Sequence, residues 1–144
     1  MATERLSDLY HTAIMQHNAQ PFHYEKRLDA PHIVEAYNPL CGDKFKLFLN
    51  IENGIIKQAF FHGYGCAISK AASSVLIQKI ENLPVSDALL LVKDYFSAIN
   101  TEGVSEVKDN MLKPFMAVKQ FPERMTCATL SWQALDDYLK KVTT

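Results

Sequence analysis

Phe45, Leu47, Leu49 and Ile51 alternate with Lys46, Phe48, Asn50 and Glu52, and the run ends directly at Asn53-Gly54. Alternation of this kind marks a strand with a more apolar face turned to a core. Asn and Gly both tolerate positive φ, which a two-residue hairpin loop requires. Ile55 to His62 is therefore the returning strand, and His32 to Tyr37, which alternates more weakly, is a first strand. Three strands joined in this way form a small antiparallel meander. The connection after the first strand and the end of the third then lie at the same end of the sheet. That geometry brings the turn Asn38-Pro39-Leu40-Cys41-Gly42-Asp43 close to Gly63-Tyr64-Gly65-Cys66.

Elsewhere the period is helical. Leu6, Leu9, Tyr10, Ala13, Ile14 and His17 share one face of a helix capped at Thr3 or Ser7 and ended before Pro21. Ala19 to Pro31 has no clear period and reads as a loop. Ile68, Ala71, Ala72, Val75, Leu76 and Ile80 follow Cys66 at helical spacing, so Cys66 sits at or next to a helix start. A helix N-terminus stabilises a thiolate. Pro84 is expected in the first turn of another helix, from about Val85 to Ile99. Val104 to Gln120, interrupted by Pro114, reads as short helical pieces. Met125 to Val142 is a last helix with Leu130, Ala134, Leu135, Tyr138 and Leu139 on one face, and Cys127 falls in its first turn. Neither a repeat nor a second domain is visible, and residues 1–144 read as a single domain.

A hydrophobic share of 48% and a charged share of 22% describe an ordinary globular chain. The net charge of −1 offers no footprint for nucleic acid. No apolar run approaches the roughly 20 residues that span a bilayer, so no membrane is expected. Met1-Ala2-Thr3-Glu4-Arg5 lacks the apolar core of a signal peptide, which makes the cytoplasm the expected location. Thiols stay reduced there, and an odd count of three cysteines cannot pair completely in any case.

Three reduced thiols leave metal binding, nucleophilic chemistry and plain core packing open. All three cysteines fall in turns or at helix starts, none in the middle of an apolar stripe, and Asp43 stands two residues after Cys41. Cys41, Asp43, Cys66 and Cys127 meeting at one place would offer three thiolates and a carboxylate, a plausible tetrahedral zinc set. Spacing alone does not single this out, because no Cys-x-x-Cys module is present. His62, close to Cys66, is a candidate base for a Cys–His pair. The other histidines, His11, His17, His23 and His32, are scattered, and Trp132 and the phenylalanines read as core.

Three motifs together carry a family resemblance. Asn38-Pro39-x-Cys41-Gly42-Asp43, Gly63-x-Gly65-Cys66-x-Ile68-Ser69 and Arg124-x-x-Cys127-Ala128-Thr129-Leu130-Ser131-Trp132 resemble the cysteine motifs of the IscU/SufU-type iron–sulfur assembly proteins. With Leu9-Tyr10 and Ile14-Met15-x-His17, the resemblance covers nearly the whole chain. It implies an α+β fold with a three-stranded antiparallel sheet packed by helices, in agreement with the periodicity. The long separation of Cys66 and Cys127 is similar to the SufU branch, which carries an insertion here corresponding to Thr101–Gln120. Before the last cysteine, Thr126 stands where IscU-type proteins have histidine and SufU types usually have lysine. Phe121-Pro122-Glu123-Arg124-Met125 does not match the chaperone-docking Leu-Pro-Pro-Val-Lys of the IscU branch. Gln20-Pro21-Phe22-His23 replaces the family's Asn-Pro-Arg-Asn run.

The resemblance implies a zinc-dependent sulfur acceptor that takes persulfide sulfur from a SufS-type cysteine desulfurase and serves downstream cluster-assembly proteins. Such a protein is a sulfurtransferase-like relay rather than a conventional enzyme. Cys41, Asp43, Cys66 and Cys127 would be the zinc ligands, with Cys41 released from zinc by the partner to act as nucleophile. Arg124 would pair with Asp43 or with an acidic group of the partner, and Leu9 and Tyr10 would contribute to partner docking. The alternative is a scaffold that assembles and transfers an iron–sulfur cluster on the same cysteines.

Overall fold

The computed structural model describes residues 6–40, 42–101 and 107–142. Strands β1 (His32–Asn38), β2 (Asp43–Glu52) and β3 (Ile55–Tyr64) form one antiparallel sheet in the order β1-β2-β3. At the β2–β3 hairpin Asn53 and Gly54 have φ of 53° and 76°, the paired positive values expected from the sequence. A register shift between Asn50 and Ile51 adjusts the pairing just before this turn.

Residues Val34, Ala36, Phe45, Leu47, Leu49, Ala59 and Phe61 point inward from the sheet and are buried. Helices α1 (Leu6–Ala19), α2 (Ala67–Ile80), α3 (Val85–Asn100) and α4 (Met125–Val142) complete the core with two 3-10 helices, Lys113–Gln120 and Pro122–Arg124. Helix α2 packs on α1, α4 and β3, and α4 also packs on β1. Trp132 lies in the core, stacked on Tyr95 at 3.8 Å, and its indole N–H donates to the Ala72 carbonyl at 3.1 Å. Those contacts tie α4 to α2 and α3. Beside the outer edge of β3, Glu25 N–H donates to the Phe61 carbonyl and Phe61 N–H to that of His23, which covers an edge otherwise open to pairing.

The helices begin and end close to the expected places, with two differences. Pro84 is the residue before α3 rather than in its first turn; its extended ψ of 147° lets it lead into the helix without entering it. Ser7 lies inside α1 rather than capping it, and Thr3 lies outside the described residues. The stretch from Lys113 to Gln120 is a 3-10 helix opened by Pro114, in keeping with its weak apolar period.

Candidate metal centre

Asp43 is the first residue of β2 and is only 4% exposed. Its carboxylate is held from both sides. Oδ1 accepts the Cys66 backbone N–H at 3.0 Å, and Oδ2 accepts the Ser69 hydroxyl at 2.9 Å. A carboxylate removed from water is tolerated when donors of this kind replace its hydration. Cys66 caps α2, and its sulfur accepts from Ser69 N–H at 3.4 Å. The start of α2 and the start of β2 are therefore fastened through one carboxylate.

Gly65 makes that approach possible. A Cβ at this position would lie 2.8 Å from the Phe45 ring, 2.8 Å from Ser69 Oγ and 2.9 Å from the Asp43 carboxyl carbon. Gly63 is constrained from the other side. Its φ is 153°, and a Cβ there would run into the Lys44 carbonyl oxygen across the sheet.

Cys127 reaches the same place from α4 and is buried. The register of the two helices is set one turn further along. Ser73 Oγ bonds Ser131 Oγ at 2.6 Å, and Ser73 also donates to the Ser69 carbonyl at 2.8 Å. Ser73 follows Ser69 by one turn, as Ser131 follows Cys127, so the hydroxyl pair aligns Cys127 with the Cys66–Asp43 unit. One ligand atom each from Asp43, Cys66 and Cys127 lies within 4.8 Å of the others.

The donor chemistry fits zinc. Two sulfurs and one carboxylate oxygen are its usual ligand types, and tetrahedral zinc wants such atoms about 3.5 Å apart, a small contraction from the observed spread. Asp43 keeps lone pairs free while accepting its two hydrogen bonds. The same sulfurs suit iron in a sulfide cluster.

The fourth expected ligand, Cys41, lies outside the described residues. Its neighbours define the loop. Leu40 N–H donates to Asn38 Oδ1 at 3.0 Å and Gly42 N–H to the Asn38 carbonyl at 2.8 Å. Gly42 has φ of 78° with open space around it, a conformation that strains any other residue. The loop is thus pinned at Asn38 and Asp43.

Other expected residues are not among the clustered ligand atoms. Arg124 is exposed on the 3-10 turn before α4. His62 is not among the clustered side chains. It lies on the outer face of the sheet with its ring 4.5 Å from that of Tyr24, so it makes no pair with Cys66. The Leu9 side chain lies outside the described residues. Tyr10 is half-buried, stacked 6.4 Å from Phe121 and edge-on 6.5 Å from Phe115. Its hydroxyl is buried without a hydrogen-bond partner among the described residues. Burial first, then the charges of Cys66 and Cys127, push its pKa up to about 12 against the opposing pull of Arg124. Thr126 is exposed.

Ser69, Ser73 and Ser131 are the residues that sequence reasoning missed. The available signal was polar residues four apart on faces that otherwise bury apolar side chains.

The model of the NifU-like N terminal domain matches residues 9–143. The iron–sulfur cluster assembly scaffold protein IscU of Thermotoga maritima is 33% identical over 93% of this chain and 94% of its own. The zinc-dependent sulfurtransferase SufU of Bacillus subtilis is 32% identical over 94% of this chain and 92% of its own. Among solved structures, a protein of Fervidobacterium islandicum described as an iron–sulfur cluster assembly scaffold for the SUF system superposes with a TM-score of 0.81 at 28% identity, covering 92% of this chain and 97% of that one. A NifU-like protein of Brucella abortus, 17% identical, shares the fold with a TM-score of 0.80. A match of this length, on a chain whose sheet end gathers Asp43, Cys66 and Cys127, means that the chain belongs to the NifU-like N-terminal domain family of iron–sulfur cluster assembly proteins.

Proposed function

We propose that this protein accepts sulfur from a cysteine desulfurase as a persulfide on Cys41, with zinc held by Asp43, Cys66, Cys127 and Cys41. The observation that carries the reading is the convergence of Asp43, Cys66 and Cys127 within 4.8 Å, with Cys41 next to Gly42 on the loop that leads into Asp43. Bound zinc keeps the thiols ionised at neutral pH. Cys66 and Cys127 sit at helix starts and Asp43 is hydrogen-bonded on both oxygens, so these three are the fixed members. Cys41 is assigned as the ligand that leaves zinc to act as nucleophile.

In the transfer step the Cys41 thiolate attacks the outer sulfur of the donor's cysteine persulfide. A new S–S bond forms, the donor's S–S bond breaks, and the donor cysteine leaves as its thiolate. No external oxidant or reductant is needed, because the sulfane sulfur is passed on intact. Arg124 and Tyr10 are assigned to the side from which the donor approaches.

Incubation with a cysteine desulfurase and free cysteine, followed by intact-mass measurement, tests the reading. Addition of one sulfur atom at Cys41, lost in Cys41→Ser while zinc-loaded folding persists, is the expected result. A Cys41→Ser variant that stimulates the desulfurase as wild type does would leave a purely structural metal.

Scaffolding is the second reading, favoured by the naming of the Thermotoga maritima relative as a scaffold protein. The iron–sulfur cluster is then the cargo, built on the same cysteines. Purification without oxygen separates the two: stoichiometric iron with sulfide-to-iron absorption in place of zinc would support the scaffold.

A further inference from the structure

The outer face of the sheet carries an ordered set of side chains that the metal centre does not use. Strand pairing places Tyr37, Lys44 and Tyr64 in one row across the three strands, and Glu35, Lys46 and His62 in the next. Beyond these rows, Phe48 and Phe60 are covered by the segment running from Arg27 to Pro31, with the Arg27 guanidinium 4.3 Å from the Phe60 ring centre. Nearer the metal centre the face is open. There Lys26, Leu28, Lys44, Lys46, His62 and Tyr64 border a groove of about 310 Å³ that also touches Phe48.

The charge on this groove is one-sided. Lys26, Lys44 and Lys46 line it, and Lys70 stands beside it, over the Tyr24 ring that also contacts His62. Among the described residues, the only carboxylate paired with any of these lysines is Glu35, 3.7 Å from Lys46 with both side chains largely exposed. Four of the chain's 15 lysines and arginines thus stand at or beside this one groove. Within the patch Leu28 and Tyr64 are 72% and 66% exposed. Aromatic and aliphatic anchors rimmed by charge are the composition of a protein interface.

The patch lies at the same end of the sheet as the metal centre, on the opposite face: Lys44 adjoins Asp43, and Tyr64 is two residues from Cys66. A partner seated here and reaching round the end of the sheet meets the thiols. We propose that this groove docks the sulfur-donating desulfurase, through a segment that presents carboxylates around one apolar side chain. This rests on the functional reading above and assigns to the sheet face the recognition step that precedes transfer. Opposite charges would accelerate encounter and fix orientation, and the exposed Leu28 and Tyr64 would receive the apolar side chain.

The test is a titration of the zinc-loaded protein with a cysteine desulfurase at low and high salt, using wild type, Lys26→Glu/Lys44→Glu and Lys26→Glu/Lys46→Glu. A Lys57→Glu/Lys93→Glu variant, with both changes away from the groove, controls for net charge. Zinc content and melting temperature report that the variants are folded. The expected result is a Kd raised at least about tenfold at low salt for both groove variants, converging on wild type at high salt, with the control near wild type. Unchanged affinity and salt response in both groove variants, with sulfur still reaching Cys41, would overturn the docking assignment and leave the transfer function standing. If wild type neither binds the desulfurase nor gains sulfur, the functional reading itself fails and the docking assignment with it. A groove variant that dissociates a homodimer without changing desulfurase affinity would assign the groove to self-association and also overturn the proposal.

Discussion

Ser69→Ala isolates the contribution of one hydroxyl to the metal centre. Ser69 is 1% exposed, so no water replaces the hydroxyl when it is removed. The variant deletes a 2.9 Å hydrogen bond to Asp43 Oδ2 and leaves the Cys66 N–H as the carboxylate's remaining partner. A hydrogen bond to a charged group contributes about 1.5–3 kcal/mol. The higher helix propensity of alanine returns up to about 0.5 kcal/mol. The net cost is about 1–2.5 kcal/mol. Expressed in metal binding, at about 1.4 kcal/mol per factor of ten, it becomes a loss of roughly 5- to 60-fold in zinc affinity. That lies within the range expected on removing a partner that orients a ligand. Competition against a chromophoric zinc chelator at neutral pH measures the affinity, and thermal melting of the metal-free protein measures the stability. Ser74→Ala is the control, because Ser74 is equally buried on the same helix but bonds His17 Nδ1 and the Phe22 N–H rather than Asp43. It should lose stability by about 1–3 kcal/mol with little change in zinc affinity. If Ser69→Ala binds zinc as wild type does, or if Ser74→Ala weakens binding equally, Ser69 acts through folding alone and the reasoning is wrong.

Gly65→Ala should destabilise the fold by about 1–3 kcal/mol through overpacking and weaken zinc further by pushing the Asp43 carboxyl out of place; chelator competition and melting check both. Stripping the metal with a chelator should lower the melting temperature. If free zinc stands near 100 times its Kd, binding contributes about 2.7 kcal/mol, or roughly 5–10 °C, and re-addition should restore it. Burial holds the pKa of His17 below its ordinary value, and its Nδ1 is 2.7 Å from Ser74 Oγ. The unfolded chain therefore takes up a proton at higher pH than the native one. Stability should be full above the ordinary histidine pKa and should fall as the pH drops below it. His17→Gln should flatten that part of the pH–stability profile, and an unchanged slope would remove His17 as its source.

The sheet was legible because its signals are local. The Phe45–Glu52 alternation and the turn preference of Asn53-Gly54 each act within a few residues, and strand connectivity then fixes which ends lie together. Cys66 could be placed at a helix start because the period changes just after it. His62 was harder. Its nearness to Cys66 in sequence suggested a pair, but strand alternation turns it to the opposite face from Phe61, and only the assembled sheet makes that decisive. Nor does any local pattern show that both donors to Asp43 come from the start of α2.

The meander, the helix starts that carry Cys66 and Cys127, and the family motif around all three cysteines are written in the chain itself. These follow from short-range periodicity, turn chemistry and residue spacing. Packing between distant elements settles that Ser69 holds Asp43, that Ser73 and Ser131 set the register of α2 against α4, and that Lys26 joins Lys44 and Lys46 along the groove beside Tyr64. Each depends on side chains distant in sequence meeting across packed elements. Their energies come from burial and partner geometry, which no local pattern records.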